Sequence, residues 1–325
     1  MKIAVIGALG LVGGKMRQVL EEEQITGEFY FFDVASNAGK PLKHNGQKFR
    51  VLELSEENLE KVRPDFALLA VPNPVSAVYA PIVASLGGVA IDNSSYFRMR
   101  EDIPLIVPEV NSESLKKEAG QIIANPNCST IQAVVALAPL DRAYGLKRVV
   151  FSTYQAVSGA GIAGISDLVR GIRGKKPLNF AHPIFNNLIP QIDVFQDNGY
   201  TKEENKLINE TKKILGKPEL NVTATAVRVP VFNCHSISVN AEFEKPLTSD
   251  DIRRVLAGAK GIKILDDMAG KLYPMPIHAD EANDVYVGRI RMDESQANTI
   301  NMFVVADNLR KGAATNAVQI LKGLL

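Results

Sequence analysis

The sequence lacks tryptophan altogether and contains only two cysteines, Cys128 and Cys234, among its 325 residues. Two cysteines cannot build a disulfide framework, so we expect a reducing compartment, of which the cytoplasm is the simplest. The charges nearly cancel as well, because 37 lysines and arginines stand against 36 acidic residues and leave a net charge of +1. A chain with so small an excess has no electrostatic footprint for nucleic acid or an anionic membrane, and we expect neither partner.

Long apolar runs are also missing. No stretch approaches the roughly 20 apolar residues that cross a bilayer. The apolar start of the chain does not resemble a signal peptide, because glycines interrupt it and Lys15 and Arg17 follow. Hydrophobic residues still make up 46% of the chain, and its length exceeds the roughly 250 to 300 residues beyond which a single core stops growing. We therefore expect a globular protein of two domains.

The first domain opens with a strand, a glycine turn and a helix. Residues 1–6 predict a buried strand, Gly7, Gly10 and Gly13 follow it, and residues 16–23 show a helical period. Glycines let the backbone approach a pyrophosphate, and the helix start offers it N–H donors and positive potential. Because the turn follows an N-terminal strand, it predicts dinucleotide binding; a merely tight turn between strand and helix is the alternative.

The end of the second predicted strand bears on which dinucleotide binds. This strand, residues 28–32, leads into Asp33, and an acidic residue at such a place typically accepts a hydrogen bond from a ribose 2′-hydroxyl and favours NAD. Ser36, Asn37 and Lys40 follow closely, and these groups suit the 2′-phosphate of NADP. The residues alone leave the two cofactors open.

The next elements predict that a parallel sheet completes the first domain. Strands at 66–71, 89–92 and 105–107, with a helix at 76–86 between them, are typical of a Rossmann-type sheet covered on both faces. The fold class is therefore α/β in this part of the chain.

From about residue 148 the pattern changes to longer β-rich segments, which predict the mixed or antiparallel sheet of an α+β domain: 148–157, 221–231, 236–243, 285–292 and 299–306. Helices are expected to cover one face of it at 162–172, 202–215 and 249–259. We expect the final helix, 308–325, to return to the first domain. The predicted domains are thus a dinucleotide-binding domain, 1–127 and 308–325, and a catalytic and dimerisation domain, 128–307.

Cys128 lies where a strand gives way to a helix. Residues 121–124 predict the end of a strand, and residues 131–140 have a helical apolar pattern that Pro139 is expected to close. The free N–H groups and positive dipole of a helix start favour a thiolate, so Cys128 is a candidate nucleophile for acyl chemistry. The alternative is a buried cysteine that serves as a small hydrophobe.

Three segments, the glycine turn, residues 125–130 around Cys128 and residues 228–236, together resemble the aspartate-β-semialdehyde dehydrogenase family. Three further segments match it in the same order, 154–161, 209–214 and 307–314, so the resemblance covers essentially the whole chain. Members of this family reduce L-aspartyl 4-phosphate to L-aspartate 4-semialdehyde with NADPH and release phosphate, in the biosynthesis of the aspartate-family amino acids. The resemblance implies this activity, NADP as cofactor, and a homodimer or homotetramer.

The resemblance also implies roles for individual side chains. Cys128 matches the nucleophile, His235 the acid/base partner and Gln155 the amide that orients the acyl group. Arg228 and Glu210 match the groups that hold the substrate's α-carboxylate and α-amino group. The phosphate-binding set is matched by Lys213, Arg98 and Asn127. The cofactor contacts are matched by Gly7, Leu9, Gly10, Leu11, Val12, Gly13, Ser36, Asn37, Ser158, Gly159 and Asn308. No metal site is implied.

Several of these matches have alternatives. Glu210 and Lys213 are three residues apart, the spacing of an ordinary surface ion pair on a helix. Family members commonly carry an arginine where Ser36 stands, and Asp33 adds a negative charge nearby, so NAD use stays open beside NADP. Three rival functions stay open: an N-acetyl-γ-glutamyl-phosphate reductase, a catalytically idle dinucleotide-binding regulator and, as a weaker rival, a glyceraldehyde-phosphate dehydrogenase. Glu210 argues against the first, because its carboxylate suits a free amino group.

One geometric requirement follows from spacing. Arg228 and His235 are an odd number of residues apart, so they face opposite sides of any uninterrupted strand. A bend is therefore required between them, and Pro230 or Asn233 are suitable places, because proline blocks ladder pairing and asparagine tolerates turn geometry.

Overall fold

The computed structural model describes all residues, Met1 to Leu325. The chain forms two compact units, the first built from Met1–Asn127 and Ala313–Leu325 and the second from Cys128–Gly312. The functional division into domains of 1–127 with 308–325 and of 128–307 stays a prediction. No helix in the structure is both long enough and apolar enough to cross a membrane.

The first unit contains a six-stranded parallel sheet in the order β5-β2-β1-β6-β7-β8, and a separate hairpin of β3 and β4. Its strands are β1 (Lys2–Ile6), β2 (Glu28–Asp33), β3 (Pro41–His44), β4 (Gln47–Arg50), β5 (Leu52–Glu53), β6 (Phe66–Leu69), β7 (Val89–Asp92) and β8 (Ile122–Ala124). Its helices are α1 (Leu11–Glu22), α2 (Glu56–Val62), α3 (Asn73–Ser85), α4 (Pro108–Asn111) and, at the end of the chain, α10 (Thr315–Leu324).

The parallel sheet is covered on both faces, as predicted for a Rossmann-type domain. Every residue of β6 and β7 is buried. Ile3 and Val5 of β1 belong to the same core cluster as Leu20 of α1 and Val318 of α10, whereas alternate residues point to the opposite face, where α3 contacts β6, β7 and β8. Burial on both faces explains why these strands are continuously apolar rather than alternating.

The return of the C-terminal helix to the first unit is confirmed. The buried Asn316 amide of α10 donates to the Ile106 carbonyl at 2.9 Å and to Asn125 Oδ1 at 2.7 Å. The predicted helix 308–325 is not continuous, however, because a π-helical turn, Arg310–Ala314, precedes α10.

The second unit contains a six-stranded mixed sheet in the order β10-β9-β11-β14-β13-β12. Its strands are β9 (Leu146–Gln155), β10 (Asn221–Arg228), β11 (His235–Phe243), β12 (Ile262–Ile264), β13 (Val285–Met292) and β14 (Thr299–Ala306). Its helices are α5 (Cys128–Tyr144), α6 (Gly161–Ile172), α7 (Lys202–Leu215), α8 (Ser249–Ala257) and α9 (Pro276–Ala279). The predicted α+β character of this part of the chain is confirmed.

Two sequence predictions are wrong in detail. Residues 105–107 do not form a strand, because Leu105 makes only an isolated bridge to Ala124. Pro139 does not end its helix, since α5 runs on to Tyr144 with the proline inside it. A buried helix tolerates the lost N–H bond when tertiary packing holds the chain, and Gly145, at φ +73°, ends it instead.

Candidate active site

Three predicted site residues lie side by side at the ends of three neighbouring strands. Strand β9 lies between β10 and β11, and Arg228 of β10 pairs in register with Gln155 of β9. Ser236 of β11 pairs with Tyr154, which places His235 opposite Gln155. Gln155, Arg228 and His235 are only 2%, 6% and 0% exposed. Since Phe151 and the other buried residues of β9 alternate with exposed ones, the three side chains share the inner face, which α5 and α7 cover.

The required bend lies between β10 and β11, in residues 229–234. Val229 donates to the Gln155 carbonyl at 3.0 Å, so the chain curls around the end of β9 instead of extending β10. The bend was predicted, but its left-handed residue is Cys234, with φ +71°, and not Asn233. The Cys234 N–H donates to Asn308 Oδ1 at 3.0 Å, which holds this unusual backbone conformation in place.

His235 is held in one orientation by the backbone. Its Nδ1 accepts a hydrogen bond from the Ala156 N–H at 3.1 Å, so a neutral imidazole carries its proton on Nε2. The pKa of His235 is lowered to about 3, chiefly by burial and also by the Arg228 guanidinium, while the Glu203 carboxylate opposes both. His235 is therefore neutral at neutral pH, and its Nε2 has no hydrogen-bond partner within the protein. A neutral imidazole in this state offers an N–H donor.

Gly159 leaves the space that this donor faces. A Cβ atom at position 159 lies 2.9 Å from Arg228 Nη1 and 3.0 Å from His235 Nε2. The distance to Arg228 Nη1 is shorter than real Cβ contacts, and the distance to His235 Nε2 is as tight as such contacts become. The predicted nicotinamide-side glycine therefore keeps the ends of Arg228 and His235 open to a ligand.

Arg228 connects this cluster to Cys128. Its Nη1 donates to the Ala156 carbonyl at 2.8 Å within the buried interior. Burial lowers the pKa of Arg228, while the negative charges of Glu203 and of a Cys128 thiolate raise it, so the guanidinium and the sulfur are close enough to interact. Cys128 is the first residue of α5 and is partly exposed. Both the helix start and the guanidinium favour a thiolate at this position.

A residue missed by sequence reasoning, Glu203, completes the cluster. Gln155 Nε2 donates to Glu203 Oε1 at 3.1 Å, and Gln155 Oε1 accepts from the Thr153 hydroxyl at 3.0 Å. The second carboxylate oxygen, Oε2, accepts from Lys206 Nζ at 3.1 Å. In the sequence, Glu203 resembles the acidic residues that commonly occupy the first turn of a helix. Its position in the site becomes visible only from the packing of α7 against the strands.

The other substrate and phosphate candidates are divided between the units. Glu210 of α7 is 1% exposed, so it is not part of a surface ion pair, while Lys213 on the same helix is half-buried. Arg98 and Asn127 belong to the first unit, and both are buried. The Arg98 guanidinium donates to the Asn93 carbonyl at 2.9 Å through Nη2. Their roles at the substrate stay predictions.

Two predicted cofactor contacts, Ser158 and Asn308, hold each other in the second unit. The Asn308 amide donates to the Ser158 hydroxyl at 3.0 Å, and the hydroxyl donates in turn to Asn233 Oδ1 at 3.1 Å. This network links the loop after β9, whose Ala156 contacts the His235 ring, with the bend before β11, which leads directly into His235.

In the first unit the glycine turn forms a closely packed cradle at the end of β1. Gly7 has φ +82°, and a Cβ atom there lies 2.4 Å from the Ala70 carbonyl oxygen. A Cβ atom at Gly13 lies 2.1 Å from the Gly7 carbonyl oxygen. Only glycine fits either position, and the first N–H groups of α1, from Leu11 through Gly13, lack carbonyl partners within the helix. The turn is therefore suited to the pyrophosphate of a dinucleotide.

Asp33 is occupied by the protein itself. Its Oδ2 accepts from the Leu9 N–H at 2.9 Å, and its Oδ1 accepts from the Val34 N–H at 2.9 Å and from the Asn37 amide at 2.7 Å. The Asn37 side chain in turn accepts from Lys40 Nζ. Asp33 is thus buried beneath the loop that carries Ser36 and Asn37, and it ties this loop to the glycine turn.

The family models agree with this division of features. Residues 2–118 match the NAD binding domain of semialdehyde dehydrogenases, and residues 137–311 match their dimerisation domain. The aspartate-semialdehyde dehydrogenase of Aquifex aeolicus is 47% identical, over 100% of this chain and 98% of the relative.

The chain belongs to the aspartate-semialdehyde dehydrogenase family.

Solved structures of aspartate-semialdehyde dehydrogenases support the fold as well. Enzyme II of Vibrio cholerae, complexed with ASA, superimposes with a TM-score of 0.94 at 42% identity and covers 99% of this chain and 97% of its own. The enzyme of Candida albicans with NADP has a TM-score of 0.78 at 25% identity, with 99% and 98% covered. The predicted family and oxidoreductase class are thereby confirmed. Residues 2–118 form a domain of the type that binds NAD or NADP.

Proposed function

We propose that this chain catalyses the reductive dephosphorylation of L-aspartyl 4-phosphate to L-aspartate 4-semialdehyde through a thioester on Cys128. The observation that carries the proposal is the alignment of Gln155, Arg228 and His235 on one buried face, with Arg228 close enough to Cys128 to interact with its thiolate. A carboxamide, a guanidinium and a neutral imidazole around a helix-start thiolate form a site for acyl transfer.

The first step is attack of the Cys128 thiolate on the acyl phosphate. The new C–S bond forms, the bond from the acyl carbon to the phosphate oxygen breaks, and phosphate leaves with the electron pair. The Gln155 amide holds the acyl oxygen. Lys213, Arg98 and Asn127 are assigned to the phosphate by family resemblance, and two cations with an amide suit a dianionic leaving group.

In the second step the thioester carbon is reduced, and NADPH when bound supplies the hydride. The carbonyl oxygen of the thioester then becomes an oxyanion, for which the Nε2–H of neutral His235 is a suitable donor. Collapse of this thiohemiacetal breaks the C–S bond, restores the thiolate and leaves His235 with its proton. The tautomer fixed by Ala156 favours this donor role over acceptance of the thiol proton, because accepting one creates a buried imidazolium beside Arg228.

Substrate choice rests on opposite charges in the second unit. Arg228 suits the α-carboxylate, and the buried carboxylate of Glu210 suits a free α-ammonium group. An N-acetylated glutamyl phosphate has no such ammonium group, so Glu210 disfavours the acetylglutamyl-phosphate reductase alternative. The names of the relatives and of the solved structures favour the aspartyl substrate in the same way.

For the cofactor we propose NADP, with NAD as the alternative to be measured. The negative charge of Asp33 is balanced by three hydrogen bonds from within the protein, which reduces its repulsion of a 2′-phosphate. Lys40 approaches the same loop through Asn37 and brings a positive charge to it. Family members that carry an arginine at the position of Ser36 place a cation in a similar part of this loop.

For the assembly we propose a homodimer, or a homotetramer built from it. The segment between α6 and α7 exposes large apolar side chains to an unusual degree: Leu178 is 71% exposed, Leu188 58%, Val194 61% and Phe195 60%. Such a group of apolar side chains marks a protein interface more often than a solvated surface. Light scattering on the purified protein is expected to give twice or four times the mass of the chain. The cytoplasmic location stays a prediction.

The reaction is tested by phosphate-dependent oxidation of L-aspartate 4-semialdehyde with NADP and NAD in parallel reactions. We expect reduction of NADP that requires both phosphate and the aldehyde. Turnover with NAD alone retains the chemistry and overturns the cofactor assignment. Absence of turnover with either nucleotide contradicts the proposed reaction. Turnover of the acetylated substrate then identifies the acetylglutamyl-phosphate reductase, and nucleotide binding without turnover identifies the idle regulator.

A further inference from the structure

Glu203 is a buried carboxylate that takes part in neither step of the proposed reaction. It is 7% exposed, in the first turn of α7, and it faces the strand ends that carry the candidate active site. Burial of a carboxylate costs free energy unless charges and hydrogen bonds compensate it. Glu203 has both, because Lys206 donates to one oxygen and Gln155 to the other.

The two carboxylate oxygens have different partners, and this fixes the amide of Gln155. An ionised carboxylate only accepts hydrogen bonds, so the Gln155 side chain must turn its nitrogen toward Glu203. The Thr153 hydroxyl donates to the amide oxygen from the opposite side, at 3.0 Å. With both ends held, the second N–H of the amide has one direction available, and the orientation of Gln155 does not depend on the ligand.

Glu203 also brings a negative charge to the cluster. Its carboxylate is hydrogen-bonded to Gln155, which lies between Arg228 and His235 on the neighbouring strands. It favours the protonated form of both side chains. Lys206 is held on its other side and is shared with Asp193, at 2.9 Å. The charge of Glu203 therefore offsets part of the positive potential that Arg228 presents to Cys128.

We propose that Glu203 is a positioning residue of the active site, which holds the Gln155 amide in its working orientation and moderates the positive charge that Arg228 directs at Cys128. The proposal rests on the proposed function for its first part, since an oriented amide matters only if an acyl group binds there. Its second part concerns the thiol alone and can be measured without substrate or cofactor.

The test uses two substitutions with different consequences. Glu203→Gln removes the charge and leaves one acceptor oxygen, which cannot serve Gln155 and Lys206 from two sides. Glu203→Asp keeps the charge but withdraws it by one methylene group. Glu204→Gln is the matched control, because the adjacent Glu204 accepts from the Thr201 and Ala226 N–H groups and has a structural role.

The first readout is turnover. We expect both Glu203 variants to lower kcat by about 10-fold to 100-fold, with KM changed much less, because misplacement of a catalytic amide acts on the reacting state rather than on binding. Glu204→Gln is expected to lower the melting temperature and to retain a kcat within a few-fold of wild type.

The second readout is alkylation of Cys128 by iodoacetamide, at about one pH unit below the pH at which the wild-type rate is half its maximum, where only a small fraction of the thiol is ionised. We expect Glu203→Gln to react about 2-fold to 5-fold faster, because a less neutralised Arg228 increases the thiolate fraction. Glu203→Asp and Glu204→Gln are expected to react at the wild-type rate.

Slower turnover together with faster alkylation of Cys128, while the buried Cys234 stays unreactive, supports the proposal, because general damage to the fold exposes both thiols. Wild-type kcat in Glu203→Gln overturns the positioning role. An unchanged or slower alkylation rate of Cys128 in a folded Glu203→Gln variant overturns the charge role. If Glu203→Gln does not fold, the positioning role is tested by Glu203→Asp, and a wild-type kcat in that variant overturns it. Failure of the proposed reaction is recognised separately, because wild type itself is then inactive while its alkylation remains measurable.

Discussion

The two candidate sites of this chain are built in opposite ways. In the first unit the glycine turn between β1 and α1 is a continuous segment in which backbone atoms are the functional groups, and Gly7 and Gly13 act by having no side chain. In the second unit the functional groups are side chains, and Gln155, Arg228 and His235 become neighbours only through the pairing of three strands.

The two sites therefore tolerate different changes. A backbone cradle fails when any atom is added to it, because its glycines already lie against carbonyl oxygens. A side-chain cluster fails when its members turn, so it depends on supporting bonds such as those from Ala156 to His235 and from Glu203 to Gln155.

Cys128→Ala is expected to lower turnover by roughly 10⁴-fold or more, because removal of the nucleophile leaves only binding and electrostatic contributions. Nucleotide binding, measured by fluorescence titration, is expected to stay at the wild-type level. Cys234→Ala is the matched control. Burial and the nearby carboxylates, with Asp307 first among them, raise the pKa of the Cys234 thiol, so it remains a neutral, packed group. Full activity of Cys128→Ala contradicts the mechanism.

Gly7→Ala is expected to abolish measurable nucleotide binding and to lower the free energy of unfolding by about 2 kcal/mol or more, because it combines a positive φ with a backbone collision. Gly14→Ala serves as its control. The nearest atom to a Cβ at Gly14 is 3.8 Å away, and alanine in a helix stabilises by up to about 1 kcal/mol over glycine. Equal nucleotide affinity in the two variants contradicts the cradle.

Gly159→Ala is expected to reduce kcat/KM by about 100-fold, with smaller losses of nucleotide affinity and of stability than in Gly7→Ala. The added methyl group meets Arg228 and His235 at their functional ends, and a displacement of such groups by about 1 Å costs this much in rate. The comparison with Gly7→Ala is direct, because one methyl group is added in each case. A Gly159→Ala variant that loses stability but not activity contradicts the assignment of Gly159 to the active site.

His235→Asn is expected to make the fold less sensitive to acid. The pKa of His235 is about 3 in the folded state and 6.5 without the fold, so between these values the unfolded chain binds a proton that the folded protein does not. The free energy of unfolding of wild type therefore falls as pH falls from 6.5 toward 3. Thermal unfolding at a series of pH values is expected to show a smaller loss in His235→Asn. An equal loss in both proteins contradicts the neutral, buried state of His235.

Much of the fold was predicted from the sequence because its signals are local. The glycine turn, the apolar strand at residues 89–92 and the helix at 202–215 each have periodicity or turn chemistry within a few residues. The predicted Rossmann-type sheet, the second α+β sheet and the return of the last helix are confirmed. The hairpin of β3 and β4 and the short α2 were missed. Charged residues obscure the alternation of the two strands and the helical period of α2.

The candidate site was predicted less completely, for a physical reason. Six segments of family resemblance pointed to Cys128 and its partners, and spacing alone required a bend before His235. The tautomer of His235 depends on the Ala156 N–H, and the role of Glu203 depends on the packing of α7 against β10. These are contacts between residues distant in the chain, and no local pattern encodes them.

The proposed reaction requires Cys128 to carry the acyl group. The most direct measurement is the intact mass of the protein after incubation with L-aspartate 4-semialdehyde and NADP in the absence of phosphate, followed by peptide mapping. We predict a mass increase equal to one aspartyl group, located on the peptide that contains Cys128 and released by added phosphate. A modified peptide elsewhere, or production of NADPH without any acylated protein when phosphate is absent, contradicts the account.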